Sequence, residues 1–221
     1  MPKNGPSSVH AVPAADPPRR VARNELSELE RRLLDDLFAI VSEHAADAVV
    51  EIDRERVEDA FVFACEHHAA QRRRSGEDFI VHPVGVARIC AGMRLDTETL
   101  CAALLHDTIE DTDTSVEELV EAFGGPIASL VQEVTDDKRL PKAERKLRQV
   151  EHAAHLSPKA RSVKLADKIA NLRDVADSPP VNWPLARRQE YFDWAKQVVD
   201  QIPDPPPDLL SLFMAIYGRR P

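Results

Sequence analysis

Signals that start and stop helices recur along this chain at short intervals, and they leave little room for any other secondary structure. Ser27 and Glu30 have the spacing of a capping box, and Asp53 precedes a helix whose positions Val57, Ala60, Phe61, Ala64, Cys65 and His68 recur at helical spacing. Pro83 suits the first position of a helix running toward Met93, and Asp96 or Thr97 caps the next. Thr114 with Glu117 reads as another capping box, Gly124-Gly125 ends that helix, and Pro126 opens one that reaches Thr135. Pro141 opens a charged helix to about His155, and Ser157-Pro158 caps and starts the next one. Ser178-Pro179-Pro180 breaks the chain before a helix from near Pro184 to Gln201, and an apolar helix, LLSLFMAIY, precedes Gly218. With only 7 glycines and 5% aromatic residues, a turn-rich β architecture has no support. The expectation is an all-α fold, a compact bundle of roughly nine or ten helices.

Residues 1–22 are rich in Pro and Ala, lack periodicity and are expected to form a disordered tail. The folded domain is expected over 23–202. A stiff spacer, Pro203 to Pro207, and the last helix complete the chain over 203–221. The 221 residues are 43% apolar, enough for one sizeable core. Asp and Glu (38) outnumber Lys and Arg (29), a net charge of −9, so no global field draws nucleic acid or an anionic membrane, and positive charge for an anionic ligand must be local. Cys65, Cys90 and Cys101 are far apart, form no CxxC pair and sit among apolar residues, which suits reduced, buried thiols in a cytoplasmic protein. No run is long and apolar enough to span a membrane, and the first residues lack the apolar core of a secretory signal.

The chemistry concentrates in the segment LLHDTIEDT, residues 104–112. On a continuous helix His106 would stack over Glu110 and Asp107 over Asp111, while adjacent His106 and Asp107 could converge on one ion from a helix edge. Two further candidate ligands lie far off in sequence: His82, in the apolar context IVHP, and Asp167, on the otherwise apolar face of KLADKIANL. A carboxylate in such a face is costly unless it is paired or metal-bound. If all are ionised, Asp107, Glu110, Asp111 and Asp167 carry −4, of which a divalent ion offsets +2. Either basic residues converge on the site, or one carboxylate holds a proton when an anionic substrate binds. His68 reads as a core histidine close to the site, and its neighbour His67 as a surface residue.

The series His82, His106-Asp107 and Asp167, set within RRRSGEDFIVHPVGVARI, LCAALLHDTIEDTDTSVEELVEAFG, LVQEVTDDKRLPKAERKLRQVE and SVKLADKIANLRD, resembles the hydrolase domain of the RelA/SpoT alarmone enzymes. That domain is one of the HD-domain metal-dependent phosphohydrolases. The stretches DDKRLPK and QEYFDWA make the chain most similar to the small stand-alone alarmone hydrolases of the metazoan SpoT-homologue type, over about 55–200. The resemblance implies an HD-domain bundle that hydrolyses the 3′-pyrophosphate of guanosine tetra- and pentaphosphate, (p)ppGpp, with one Mn²⁺; the ligand set also suits Zn²⁺ or Fe²⁺.

The same resemblance implies that His82, His106, Asp107 and Asp167 hold the metal and that Glu110 and Asp111 place and activate the water. Arg73 and Arg74 match positions lining the purine pocket, where Arg74 replaces the usual lysine and keeps the charge but not its geometry. Asn171 and Tyr191 match further pocket positions, and Lys142 and Arg187 match basic positions facing the phosphates. Arg72 could be either a pocket residue or a solvated one. The family's long members carry a synthetase domain, for which too few residues remain, so hydrolysis without synthesis is expected. The expected partner is a small nucleotide, with neither nucleic acid nor membrane. The alternatives are an NADPH 2′-phosphatase or another nucleotide phosphohydrolase on the same site, and a nucleotide sensor without turnover.

Overall fold

In a computed structural model, which describes residues 25–44, 51–73 and 76–221, the chain is all-α. The predicted tail over 1–22 and Arg74 lie outside the described residues. The elements are α1 (Glu28–Glu43), α2 (Arg54–His68), α3 (Val81–Gly92), α4 (Thr97–Leu105), α5 (Thr108–Asp111), α6 (Val116–Val134), α7 (Lys142–Ala153), α8 (Pro158–Asp177), α9 (Leu185–Asp200) and α10 (Pro207–Tyr217). Among the described residues the β geometry is confined to one isolated bridge, Arg72 to Asp78.

Most boundaries fall where the caps predict. Ser27 and Glu30 make both hydrogen bonds of the capping box, and the side chains of Asp53, Asp96 and Ser157 each accept from a backbone N–H of the first turn. The start of α6 is different. Its cap is Ser115, which accepts from Glu118 N, rather than Thr114. The Thr114 hydroxyl is already engaged, 2.7 Å from the Thr112 hydroxyl and 2.9 Å from His67 Nδ1. His67 is accordingly half-buried rather than freely exposed: it stacks on Phe63 with centroids 4.0 Å apart and lies 3.7 Å from Glu118.

The predicted stop at Gly124-Gly125 and restart at Pro126 become a kink inside α6, where Gly124 takes φ 79° and ψ 163°. That region is essentially closed to residues with a Cβ. An added Cβ would have ordinary space, its nearest neighbour being Arg56 Nη2 at 3.6 Å, so the cost of substitution is in the backbone. Gly124→Ala is expected to destabilise the fold by about 1–3 kcal/mol, read as a lower denaturant midpoint at unchanged slope.

α4 is apolar on every side and lies at the centre, with every residue from Thr99 to Leu105 buried. It packs against α2, α3, α6 and α8, and α3 packs in turn on α8 and α1. α8 is nearly as buried, and the small side chains of Ala160, Ala166 and Ala170 let its neighbours approach closely. α10 lays Leu209, Phe213 and Ile216 inward and packs on α8, and α7 packs on α9. Cys65, Cys90 and Cys101 are free and buried, and burial pushes the thiols of Cys90 and Cys101 up to about 12. No described helix is long and apolar enough to cross a membrane.

Candidate active site

The mutual packing of α3, α4 and α8 brings together residues far apart in sequence. His82 comes from the first turn of α3, His106 and Asp107 from the junction of α4 with α5, and Asp167 from the middle of α8. His106 Nε2 lies 3.3 Å from Asp107 Oδ2 and 3.8 Å from Asp167 Oδ1, and His82 Nε2 lies 3.6 Å and 3.3 Å from the same two oxygens. Donors about 2.1 Å from one ion and separated by 90–110° would stand roughly 3.0–3.5 Å apart. Three of these side chains, His82, His106 and Asp107, offer donor atoms all within 4.8 Å of one another, close enough to share a divalent cation, and Asp167 Oδ1 lies within 3.8 Å of both histidines. His106 Nδ1 donates to Ala103 O at 2.8 Å, which leaves the lone pair on Nε2, and Nε2 is buried with no hydrogen-bond partner. A buried nitrogen so placed is costly in the absence of a ligand to bind it. Burial would raise the Asp167 pKa, but Lys168, 3.1 Å away, and a hydrogen bond from His82 hold it well below the usual carboxylate range.

The helix does not run on from His106 to Asp111, as a straight reading of LLHDTIEDT would have it. α4 stops at Leu105, and Asp107 sits at φ −99°, ψ −4° before α5 restarts. The buried Thr108 hydroxyl donates to Leu105 O at 2.7 Å, so a side chain satisfies a carbonyl at the break. His106 and Asp107 thus turn onto the same point, while Glu110 and Asp111 occupy a second short helix.

Each of these two acids has its own cation. Arg145 Nη1 is 3.5 Å from Glu110 Oε1, and Lys138 Nζ contacts Asp111 Oδ1. Asp136 N donates to Glu110 Oε2 at 3.3 Å. Burial, then Asp136 and Asp107, raise the Glu110 pKa. Four carboxylates (−4) therefore meet Lys138, Arg145 and Lys168 (+3), and a divalent ion would bring the sum to +1. Basic residues do converge on the site, and one carboxylate is also disposed to hold a proton.

Beside the acids lies a cleft of about 550 Å³ whose lining includes Arg73, Phe79, Asp111, Asn171, Trp183 and Tyr191. Arg73 Nη1 pairs with Asp174 at 2.6 Å on this wall. Arg72 also borders the cleft, but its side chain is 60% exposed and pairs with Asp78. Asn171 borders the cleft too, but its side-chain nitrogen donates to Asp167 Oδ1 at 2.5 Å, which ties the cleft to the histidine–carboxylate cluster. Tyr191 lies 5.5 Å from Trp183 and 5.4 Å from Trp194, centroid to centroid, and burial, with Asp167 next, pushes its hydroxyl pKa up. Arg187 stacks 4.4 Å over Trp183, and Lys142 is exposed on α7. Burial and the positive charges of Lys142, Lys168 and Arg187 lower the pKa of Lys146, whose ammonium lies 4.7 Å over Trp194.

Lys138, Arg145, Lys146 and Trp183 escape a sequence reading. The signal available was spacing: Lys142 and Lys146 share one face of α7.

An architecture in which three helices pool two histidines and two aspartates is that of a metal-dependent phosphohydrolase. The HD-domain family profile matches residues 60–192, and the chain belongs to that family. Among curated proteins it is 56% identical over 141 residues to the guanosine-3′,5′-bis(diphosphate) 3′-pyrophosphohydrolase MESH1 of Danio rerio, covering 62% of this chain and 78% of that one. The Homo sapiens protein of the same name is 54% identical over 146 residues, covering 64% and 81%. A solved structure described as a metazoan ortholog of SpoT that hydrolyzes ppGpp superposes with a TM-score of 0.73 at 38% identity, over 78% of this chain and 98% of that chain.

Proposed function

We propose that the chain is a guanosine-3′,5′-bis(diphosphate) 3′-pyrophosphohydrolase, converting (p)ppGpp and water to GDP or GTP and pyrophosphate. The observation that carries this is the juxtaposition of the His82–His106–Asp107 cluster with Asp167 beside both histidines, the Glu110–Asp111 pair with its own cations, and a nucleoside-sized cleft. The names of the similar proteins agree with it. His82, His106, Asp107 and Asp167 hold the ion, for which Mn²⁺ is our choice and Zn²⁺ or Fe²⁺ suit the same donors. Bound there, such an ion would supply Lewis acidity, making a nearby water more acidic and the phosphoryl group more electrophilic.

Glu110, with its raised pKa, takes the proton of the attacking water, and Asp111, held by Lys138, orients that water. A bond forms to the phosphorus carried by the ribose 3′ oxygen, the bond from that oxygen to phosphorus breaks, and the proton passes to the 3′ oxygen. Arg73, Arg74, Asn171 and Tyr191 bound the nucleoside. Asn171 does so while fixing Asp167. Lys142 and Arg187, with Lys146, meet the phosphates. The three buried thiols suit a reducing compartment, the cytoplasm.

Incubation with Mn²⁺ and ppGpp is expected to yield GDP and pyrophosphate in equal amounts; recovery of intact ppGpp would refute the reading. The carboxylate-rich site also predicts a dependence of stability on metal. EDTA is expected to lower Tm, and Mn²⁺ at a hundred times its Kd to restore about 2.7 kcal/mol. A melting curve indifferent to EDTA would count against the four ligands.

A further inference from the structure

The hydrolase reading leaves a hydrogen-bonded couple beneath the site without a role. Gln71 Nε2 donates to the backbone carbonyl of Asp111 at 2.5 Å. A carbonyl only accepts, so the amide orientation is fixed and Gln71 Oε1 must face the other way, toward His68 Nδ1 at 3.0 Å. That nitrogen therefore carries the proton, and Nε2 of the ring, buried and without a hydrogen-bond partner, carries the lone pair. His68 is 2% exposed, and its neutral form is favoured by burial, its interactions with Gln71 and Asp107 opposing.

The couple is joined to the cleft in two ways. Phe79, which lines the cleft, stacks on the His68 ring with centroids 4.5 Å apart. Phe79 N also donates to Gln71 O at 3.2 Å, closing the loop that carries Arg73. Gln71 thus holds the cleft loop with its main chain and the last residue of α5 with its side chain.

We propose that Gln71 and His68 are positioning residues that couple occupation of the nucleoside cleft to the placement of the Glu110–Asp111 turn. The kinetic part rests on the hydrolase reading above; the conformational part needs only that GDP binds. Gln71→Glu is isosteric but sets an acceptor against the Asp111 carbonyl. It is expected to lower kcat on the order of tenfold to a hundredfold, with KM and bound Mn²⁺ close to wild type. His68→Leu is expected to behave likewise, and His68→Asn, whose amide nitrogen can replace Nδ1 as donor, to recover most of the loss. In the wild type, saturating GDP is expected to slow amide exchange over residues 108–112, and in Gln71→Glu to bind without that slowing.

The coupling is overturned if His68→Leu or Gln71→Glu turns over like wild type, or if metal is lost in step with kcat. It is also overturned if GDP slows exchange at 108–112 equally in Gln71→Glu, or not at all in the wild type. A wild-type chain that neither binds GDP nor releases pyrophosphate overturns the hydrolase reading itself, and is thereby distinguished from a chain that turns over normally but shows no coupling.

Discussion

His106→Ala is expected to abolish pyrophosphate release and metal loading together. The ring is the most constrained donor in the cluster: its Nδ1 is committed to Ala103 O, and its Nε2 stands bare between Asp107 and Asp167. Removing it leaves His82 and two carboxylates, and takes away the neutral donor nearest Asp107. Lewis-acid stabilisation of a phosphoryl transfer is worth several kcal/mol, so a drop on the order of 10³-fold or more in kcat/KM is expected. Turnover and elemental analysis for bound Mn²⁺, made on the same preparation, check it. Full metal content in an inactive variant would show that the histidine serves chemistry and does not hold the ion.

Glu110→Gln is expected to separate those two properties. The amide can still accept from Asp136 N, but it can neither take a proton nor pair as an anion with Arg145. Loss of a general base costs typically 10²–10⁴-fold, and we expect a kcat in that range with Mn²⁺ bound as in wild type. Stability should respond with a definite sign. The Glu110 pKa is raised in the folded chain by burial and by Asp136 and Asp107, so between its ordinary and its raised value the native state binds a proton that the unfolded state does not. Wild-type stability therefore falls as pH rises through that window. Glutamine does not titrate, so the Tm of Glu110→Gln relative to wild type is expected to rise with pH across the window and to stay level above it. A flat difference across that range would mean that Glu110 is not perturbed.

How much of this was legible in the sequence depended on how local each cause is. Caps act over three or four residues, so Ser27, Asp53 and Ser157 announced their helices correctly, and of the two candidates at α4, Asp96 and Thr97, the cap is Asp96. At α6 two hydroxyls stood side by side, and the choice of Ser115 over Thr114 was made by His67, contributed by another helix. His82 and Asp167 stood out as polar residues in apolar text, and the structure brings both to His106, and His82 to Asp107 as well. The break after Leu105 was hidden, because periodicity continues smoothly through HDTIED and the deciding hydrogen bond is that of one threonine. The cations of the acid pair were hidden for a different reason. Lys138 and Arg145 belong to a loop and a charged helix far in sequence from the acids, and only the packing of the chain shows them facing Asp111 and Glu110.

The two-residue turn between α4 and α5 has a consequence for how this segment can vary. Each residue added to a helix rotates the chain beyond it by about 100°. An insertion or deletion between Asp107 and Glu110 would swing the acids away from Lys138, Arg145 and the histidine–aspartate cluster, even if every functional letter were kept. The segment from His106 to Asp111 is therefore a cassette of fixed length: substitutions inside it can be graded in their effects, whereas a shift of frame removes ion holding and proton handling from each other in a single step.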